Sequence, residues 1–139
     1  MQACEDKARE IGIDMNIAIV DASTHLLQFI RMPNAKITSI SIALDKAFTA
    51  AGHRQGTHLY KDAVWPGGPA FGLGNTNGGR FTTFGGGLPI FGGRGGKECL
   101  GGIGASTGTP AQDQTVVQAG VDALSAYLDR SPKSPKAKL

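Results

Sequence analysis

Glycine is concentrated in one part of this chain, and that concentration constrains the fold more than any other feature. Seventeen of the 21 glycines lie between Gly67 and Gly108. They follow no fixed repeat, which excludes a collagen-like or solenoid architecture. Glycine permits positive φ in turns and close approach of backbone to a ligand or to another chain. The segment therefore predicts short strands and turns, and its glycines serve either turns and packing or a backbone-lined pocket for a small ligand.

The pattern of apolar residues on either side of this segment predicts one domain built from helices and strands. Helical spacing predicts helices over residues 2–11, 39–51 and 109–128, and one more short helical turn over 57–63 capped by Thr57. The last helix has the strongest start signal, with Thr109 as N-cap, Pro110 at the first position and Gln112 closing a capping box. Alternating or short apolar runs predict five strands, over residues 13–19, 25–31, 80–84, 88–91 and 98–105.

The connection between the first two strands indicates the fold class. A tight turn over residues 21–24 joins them, as in a β-hairpin. Strand hairpins flanked by helices favour an α+β architecture, a largely antiparallel sheet covered by helices, over a doubly wound parallel sheet.

Length and charge bound the domain organisation and the partners. The 139 residues suffice for one domain, predicted over residues 1–130, followed by a Ser/Pro/Lys tail over 131–139 that is predicted to be disordered. The net charge is +3, but Lys133, Lys136 and Lys138 lie in the tail, and no basic stripe with interleaved aromatics is present. Nucleic acid is therefore excluded as a partner. No apolar run approaches the roughly 20 residues of a membrane helix, and no signal peptide is evident.

Standard catalytic and metal-binding motifs are absent from the sequence. The three histidines, His25, His53 and His58, form no zinc-type pattern, so no metal site is predicted. Nucleotide-binding loops and the GxSxG nucleophile motif are also missing. Cys4 and Cys99 are too far apart for a redox pair, which indicates reduced thiols and a cytoplasmic protein.

One helix face carries a more informative set of polar residues. Lys46, Thr49 and His53 recur at helical spacing on the second helix, and Arg54 follows directly. One interpretation is a snorkelling lysine and a solvated histidine at the helix C-terminus. The other is an amine beside an imidazole and a guanidinium, facing the glycine segment, which would bind a carboxylate or perform acid–base chemistry. The sequence leaves both interpretations open.

Several segments together resemble a known family. They are the runs NIAIVDA at 16–22, RM at 31–32, ALDKAFTAA at 43–51, GGGLPI at 85–90 and GGIGAS at 101–106, with Thr57 and Gln112–Asp113. The chain resembles the GlcG/HbpS family, also called the haem-degrading domain, which is similar to the C-terminal domain of PduO proteins. The resemblance extends from about residue 16 to 128.

The resemblance implies a fold, an assembly, and ligand sites lined by the helix that carries Lys46 and by the GGGLPI strand. The fold is profilin-like, a five-stranded antiparallel sheet flanked by helices, and the assembly is a homo-oligomer. The polar helix face described above makes Lys46, His53 and Arg54 the candidate catalytic residues, although many relatives carry a bulky apolar residue where this chain has His53 and Arg54. The candidate ligand-binding residues are Arg31, Thr49, Thr57, Gly85, Gly86, Gly87, Leu88 and Pro89.

Two functions of different classes follow, beside a third alternative, a structural oligomer whose pocket has lost its function. The first is an oligomeric small-ligand-binding protein of the GlcG/HbpS type, with haem or a related cofactor as ligand and with His53 and His58 as the nearby candidates for an axial ligand. The alternative is a catabolic hydrolase or isomerase that acts on a small carboxylated intermediate, such as a semialdehyde or imine from aromatic degradation. In that hypothesis Lys46 and Arg54 bind the anion, His53 moves protons and the Gly85–Gly87 backbone donates hydrogen bonds.

Overall fold

The computed structural model describes residues 1–130 of the chain, so the predicted tail lies outside the described residues. The main elements are α1 (Gln2–Glu10), β1 (Asn16–Asp21), β2 (Leu26–Arg31), α2 (Ser39–His53), β3 (Gly87–Gly92), β4 (Glu98–Ser106) and α3 (Pro110–Arg130). Short 3₁₀ turns occupy Thr57–Leu59, Lys61–Val64, Leu73–Asn75, Asn77–Gly79 and Arg94–Gly96. None of the helices in the described part combines the length and apolarity that a membrane crossing requires.

The strands form one antiparallel sheet in the order β2-β1-β4-β3. A tight turn joins β1 to β2, and Asp21 stabilises it because its Oδ1 accepts hydrogen bonds from the backbone N–H groups of Ser23 (2.8 Å) and His25 (3.0 Å). The predicted α+β class, with an antiparallel sheet flanked by helices, is therefore confirmed.

Helices cover both faces of this sheet. On one face α2 packs through Ala47 and Ala51 against Ala18 and Val20 of β1. On the other face α1 and α3 enclose the larger core, which contains Cys4, Ala8, Met15, Ile17, Met32, Ile90, Ile103, Ala105, Val116 and Val117. Alternation of apolar and polar residues, as in β1, is typical of a strand with one buried face, but α2 buries the second face of this strand as well.

Two glycines of β4 allow α2 to lie directly on the sheet. A Cβ at Gly104 would stand 2.2 Å from the carbonyl oxygen of Ala43, and one at Gly102 would stand 2.5 Å from that of Ala47. Any side chain at either position would push the helix outward. Part of the glycine enrichment thus serves helix-on-sheet packing.

The sheet has four strands, so the prediction of five is wrong. The predicted strand over residues 80–84 is absent because this segment crosses α2 instead of pairing with a strand. Thr82 donates its backbone N–H to the hydroxyl of Thr49 (2.9 Å), and the Arg80 guanidinium donates to the carboxylate of Asp45 (2.9 Å). The Thr82 N–H is a backbone group that a strand would donate to its neighbour, and here Thr49 accepts it instead.

The two residues predicted to cap helices, Thr109 and Thr57, had different outcomes. The capping box of α3 is confirmed, because Thr109 N–H donates to Gln112 Oε1 (2.8 Å) and Gln112 N–H donates to Thr109 Oγ1 (3.3 Å). The predicted helical turn over 57–63 is two separate 3₁₀ turns. Thr57 does not cap the first of them, because its hydroxyl is used by the glycine loop described next.

Candidate functional site

Residues Gly85–Gly87, here called the glycine loop, lead into β3 and are held by side chains from two other elements. Gly86 donates its N–H to Oε1 of Gln114 (3.0 Å), and Gly87 donates its N–H to the hydroxyl of Thr57 (2.9 Å). The same hydroxyl donates to the carbonyl oxygen of Gly87 (3.4 Å). The backbone of this loop was predicted to donate hydrogen bonds to a ligand. The N–H groups of Gly86 and Gly87 instead have acceptors within the chain.

Lys46 lies behind this loop and is fully buried. Its Nζ donates to Oδ2 of Asp113 (2.7 Å) and to the carbonyl oxygen of Ala105 (3.0 Å), and it lies 4.8 Å from the centre of the Phe84 ring. The other carboxylate oxygen of Asp113 accepts the N–H of Gly108 (2.9 Å). Burial lowers the pKa of Lys46 from its usual value, and the Asp113 carboxylate partly offsets this shift. The amine is enclosed and paired.

Gly86 closes the space beside this ion pair. Its φ is +112°, and a Cβ there would stand 2.7 Å from Lys46 Nζ and 2.6 Å from the Cβ of Asp113. Only glycine fits this position without moving the pair, since both the conformation and the space exclude a side chain.

His53 points to a different surface from Lys46. Its Nδ1 is hydrogen-bonded to the hydroxyl of Tyr60, and its ring stacks on the Tyr60 ring with 5.7 Å between centroids. Phe81 packs edge-on against both rings. Burial raises the pKa of Tyr60. Lys46, Thr49 and His53 share a helix face by spacing, but their side chains make contacts in three separate places, and the groups required by the enzyme hypothesis do not converge.

The structure contains an open groove of about 460 Å³ between β3, α3 and the chain that follows α2. Of the predicted site residues it brings together Arg54, Leu88 and Pro89. The full lining is Arg54, Gln55, Gly56, His58, Leu59, Leu88, Pro89, Phe91, Gln118 and Val121. These residues are here called the His58 groove.

Two groove residues carry its chemistry, and neither has a side-chain partner within residues 1–130. His58 is exposed, and its ring lies over Gly56, where a Cβ would stand 2.6 Å from Cε1 of the imidazole. Arg54 is exposed, and its guanidinium makes no hydrogen bond or ion pair in the described part of the chain. Apolar side chains form much of the remaining wall. The groove thus offers one free imidazole and one free guanidinium beside an apolar surface.

Four residues of the His58 groove were not predicted from the sequence to lie at a site: Leu59, Phe91, Gln118 and Val121. Leu59 and Phe91 are large apolar residues that remain exposed, at 52% and 39%, a property that only the folded structure shows. Arg31, which was placed at the site, lies on β2, the edge strand opposite β3. Strands about 4.8 Å apart put roughly 14 Å between these two edges, so Arg31 does not line the His58 groove of its own chain.

Other parts of the described surface are weaker candidates for a ligand site than the His58 groove. A second depression, of about 380 Å³ between α1 and α3, has a polar lining of Lys7, Gln114, Thr115, Gln118, Ala119 and Asp122. Within the described residues, no three His, Cys, Asp or Glu side chains come together in a way that could hold a metal ion.

Fold and groove define a class of protein: a small α+β module in which helices flank a four-stranded antiparallel sheet and an open groove lies beside one sheet edge. The chain belongs to the HbpS-like family, whose model, described as haem degrading protein HbpS-like, matches residues 1–122. The resemblance to the HbpS and PduO proteins is thereby confirmed.

Individual relatives agree with this assignment. An uncharacterised 15.0 kDa protein from the dhaT–dhaS intergenic region of Citrobacter freundii is 43% identical over 124 residues, which covers 89% of this chain and 85% of that protein. The crystal structure of Klebsiella pneumoniae ORFY superposes with a TM-score of 0.86 at 39% identity, covering 90% and 84% of the two chains. A PduOC–haem complex superposes with a TM-score of 0.82 at 34% identity, covering 88% and 86%.

Proposed function

We propose that this protein binds haem, or a closely related flat cofactor, in the His58 groove. The observation that carries the proposal is the unpartnered His58 imidazole beside an apolar wall that includes Leu59, Leu88 and Phe91. Histidine is the commonest haem ligand, and ligand sites of roughly 300–1,000 Å³ with apolar walls and few polar groups are typical of such cofactors. A PduOC relative has been crystallised with haem, which agrees with this choice of ligand.

The donor set of the groove fits the cofactor. His58 would hold the iron, the apolar side chains would contact the ring faces, and Gly56 would leave the space that the imidazole occupies. Bound haem would supply a redox-active iron, whereas the chain itself supplies binding and orientation. The catabolic-enzyme alternative draws less support, because the amine of Lys46 is enclosed and His53 faces Tyr60.

Titration of the apo-protein with haemin tests this proposal. We expect a saturable Soret shift at one haemin per chain, and we expect His58→Ala to weaken binding and to move the Soret maximum. His25→Ala is the matched control, since His25 is an exposed histidine outside the groove and should bind as the wild type does. A wild-type titration that never saturates would refute haem binding, and equal behaviour of the two variants would refute the assignment to His58.

We also propose that the protein assembles as a homo-oligomer, as its family resemblance implies. Large apolar side chains remain exposed at several positions, among them Leu26 (53%) and Leu27 (65%) on the edge strand β2, and Trp65 (64%) and Phe71 (65%) in the glycine-rich segment. Apolar groups of this size favour burial against another chain. Light scattering at micromolar concentration should give a multiple of 14.4 kDa, and a monomer mass would contradict the proposal.

The assignment of a profilin-like fold and the assignment to the cytoplasm stay predictions.

A further inference from the structure

Arg54 has a backbone conformation that its residue type disfavours. It is the C-cap of α2, with φ 54° and ψ 33°, in the left-handed region. Helices commonly end in this conformation, but the residue is usually glycine, because a Cβ in the left-handed region lies too close to the backbone. The chain thus keeps an arginine where glycine would be more stable.

Local contacts of Arg54 do not offset this cost. Within residues 1–130 the guanidinium has no hydrogen-bond or ion-pair partner, and its position at a helix C-terminus stabilises an exposed cation only weakly. The side chain does line the His58 groove, which has no acidic residue among its lining side chains. The groove around Arg54 is therefore electrostatically suited to an anion.

We propose that Arg54 is a carboxylate-binding residue, and that the ligand of the His58 groove carries an ionised carboxylate at the Arg54 end. The planar guanidinium matches a carboxylate through two parallel hydrogen bonds, which a lysine cannot reproduce. This inference rests on the proposed function and adds the ligand's chemical class: a flat apolar body with a carboxylate edge, as the propionate groups of haem provide.

The test compares haemin with its dimethyl ester, which keeps the ring and the iron but has no ionisable propionate. Wild type, Arg54→Gly and Arg54→Lys are titrated with both compounds, and the melting temperature of each apo-protein is measured. Lys61→Gly is the matched control, since Lys61 is also basic, exposed and left-handed (φ 40°) but does not line the groove.

We expect Arg54→Gly to bind haemin about ten- to a hundredfold more weakly, as loss of a charged hydrogen bond predicts, and to bind the ester as the wild type does. Arg54→Lys should recover only part of the affinity. The melting temperature of Arg54→Gly should stay unchanged or rise, because glycine relieves the left-handed backbone. Lys61→Gly should bind both compounds like the wild type.

Other outcomes overturn the inference in distinguishable ways. If the wild type binds haemin and its ester equally well and Arg54→Gly changes neither affinity, the proposed function stands and the role of Arg54 is refuted. If Arg54→Gly weakens both equally and melts at a lower temperature, Arg54 is a structural residue and the inference fails. If the wild type binds neither compound, the proposed function and the inference fail together.

Discussion

Lys46 Nζ lies 2.7 Å from Asp113 Oδ2, although the two residues belong to helices that pack on opposite faces of the sheet. The lysine side chain reaches past the start of β3, where Gly86 leaves space for it, to the first turn of α3. Both side chains are almost completely buried, at 0% and 3% exposed. The pair therefore connects the two helical layers through the end of the sheet.

Lys46→Met should lower the free energy of unfolding by about 3–5 kcal/mol, because it leaves the Asp113 carboxylate buried without its cation. Urea denaturation measures the loss. The control is the double variant Lys46→Met/Asp113→Asn, which removes the unpaired charge while an amide oxygen still accepts the Gly108 N–H, and it should recover a large part of the stability. Unchanged stability of the single variant would contradict a structural role for the pair.

The parts of the fold that sequence predicted well are those set by local contacts. Thr109 and Gln112 are three residues apart, and their capping box can be recognised without knowledge of the rest of the chain. The hairpin of β1 and β2 depends in the same way on Asp21 and the turn that follows it. Short-range hydrogen bonds of this kind leave a direct pattern in the sequence.

The errors arose where distant residues decide the structure. Thr82 donates its N–H to Thr49, 33 residues away, so a segment that resembles a strand crosses a helix instead. Helical spacing correctly put Lys46 and His53 near one face of α2, but it could not show that Asp113 encloses the first and Tyr60 contacts the second. Arg54 enters the His58 groove because the chain turns left-handed there, which no periodicity predicts.

The capping box gives a prediction at one residue. Thr109→Ala should destabilise the protein by about 1 kcal/mol, because the Gln112 N–H loses the hydroxyl that accepts it. Thermal unfolding followed by circular dichroism measures the change. Thr109→Ser, which keeps a hydroxyl at the N-cap, is the control and should stay within a few tenths of the wild type. An alanine variant with the wild-type midpoint would mean that the cap makes no net contribution.

A further prediction concerns the hydrogen bonds between the Thr57 hydroxyl and the glycine loop. Thr57→Val keeps the shape of the side chain but leaves the buried N–H of Gly87 without an acceptor, which should cost about 1–3 kcal/mol. Hydrogen exchange should then be faster at Gly86 and Gly87 than in the wild type. Thr57→Ser retains the hydroxyl and should keep the protection. Equal exchange rates in the valine and serine variants would show that the hydroxyl does not hold the loop.

Cys4 should make the stability depend on pH above about pH 9. Its side chain is fully buried, and Gly120 of α3 lies so close that a Cβ there would stand 2.4 Å from Sγ. Burial raises the pKa of the Cys4 thiol from 9.0 to about 11. Below pH 9 the thiol is protonated in both the folded and the unfolded chain, so it contributes no pH dependence. Between pH 9 and 11 the unfolded chain loses this proton and the folded chain retains it, so stability falls as the pH rises.

At pH 11 the loss from Cys4 alone should reach about 2 kcal/mol. It is measured as the difference between the urea-unfolding free energies of the wild type and of Cys4→Ala, each determined at pH 8, 9, 10 and 11. Tyr60, whose pKa is also raised by burial, is present in both proteins, so its contribution cancels in the difference. The wild-type curve should fall more steeply than the variant curve over this interval. Parallel curves would show that the Cys4 thiol ionises as readily in the folded protein as in the unfolded chain, and that the contact between α1 and α3 does not exclude water from Sγ.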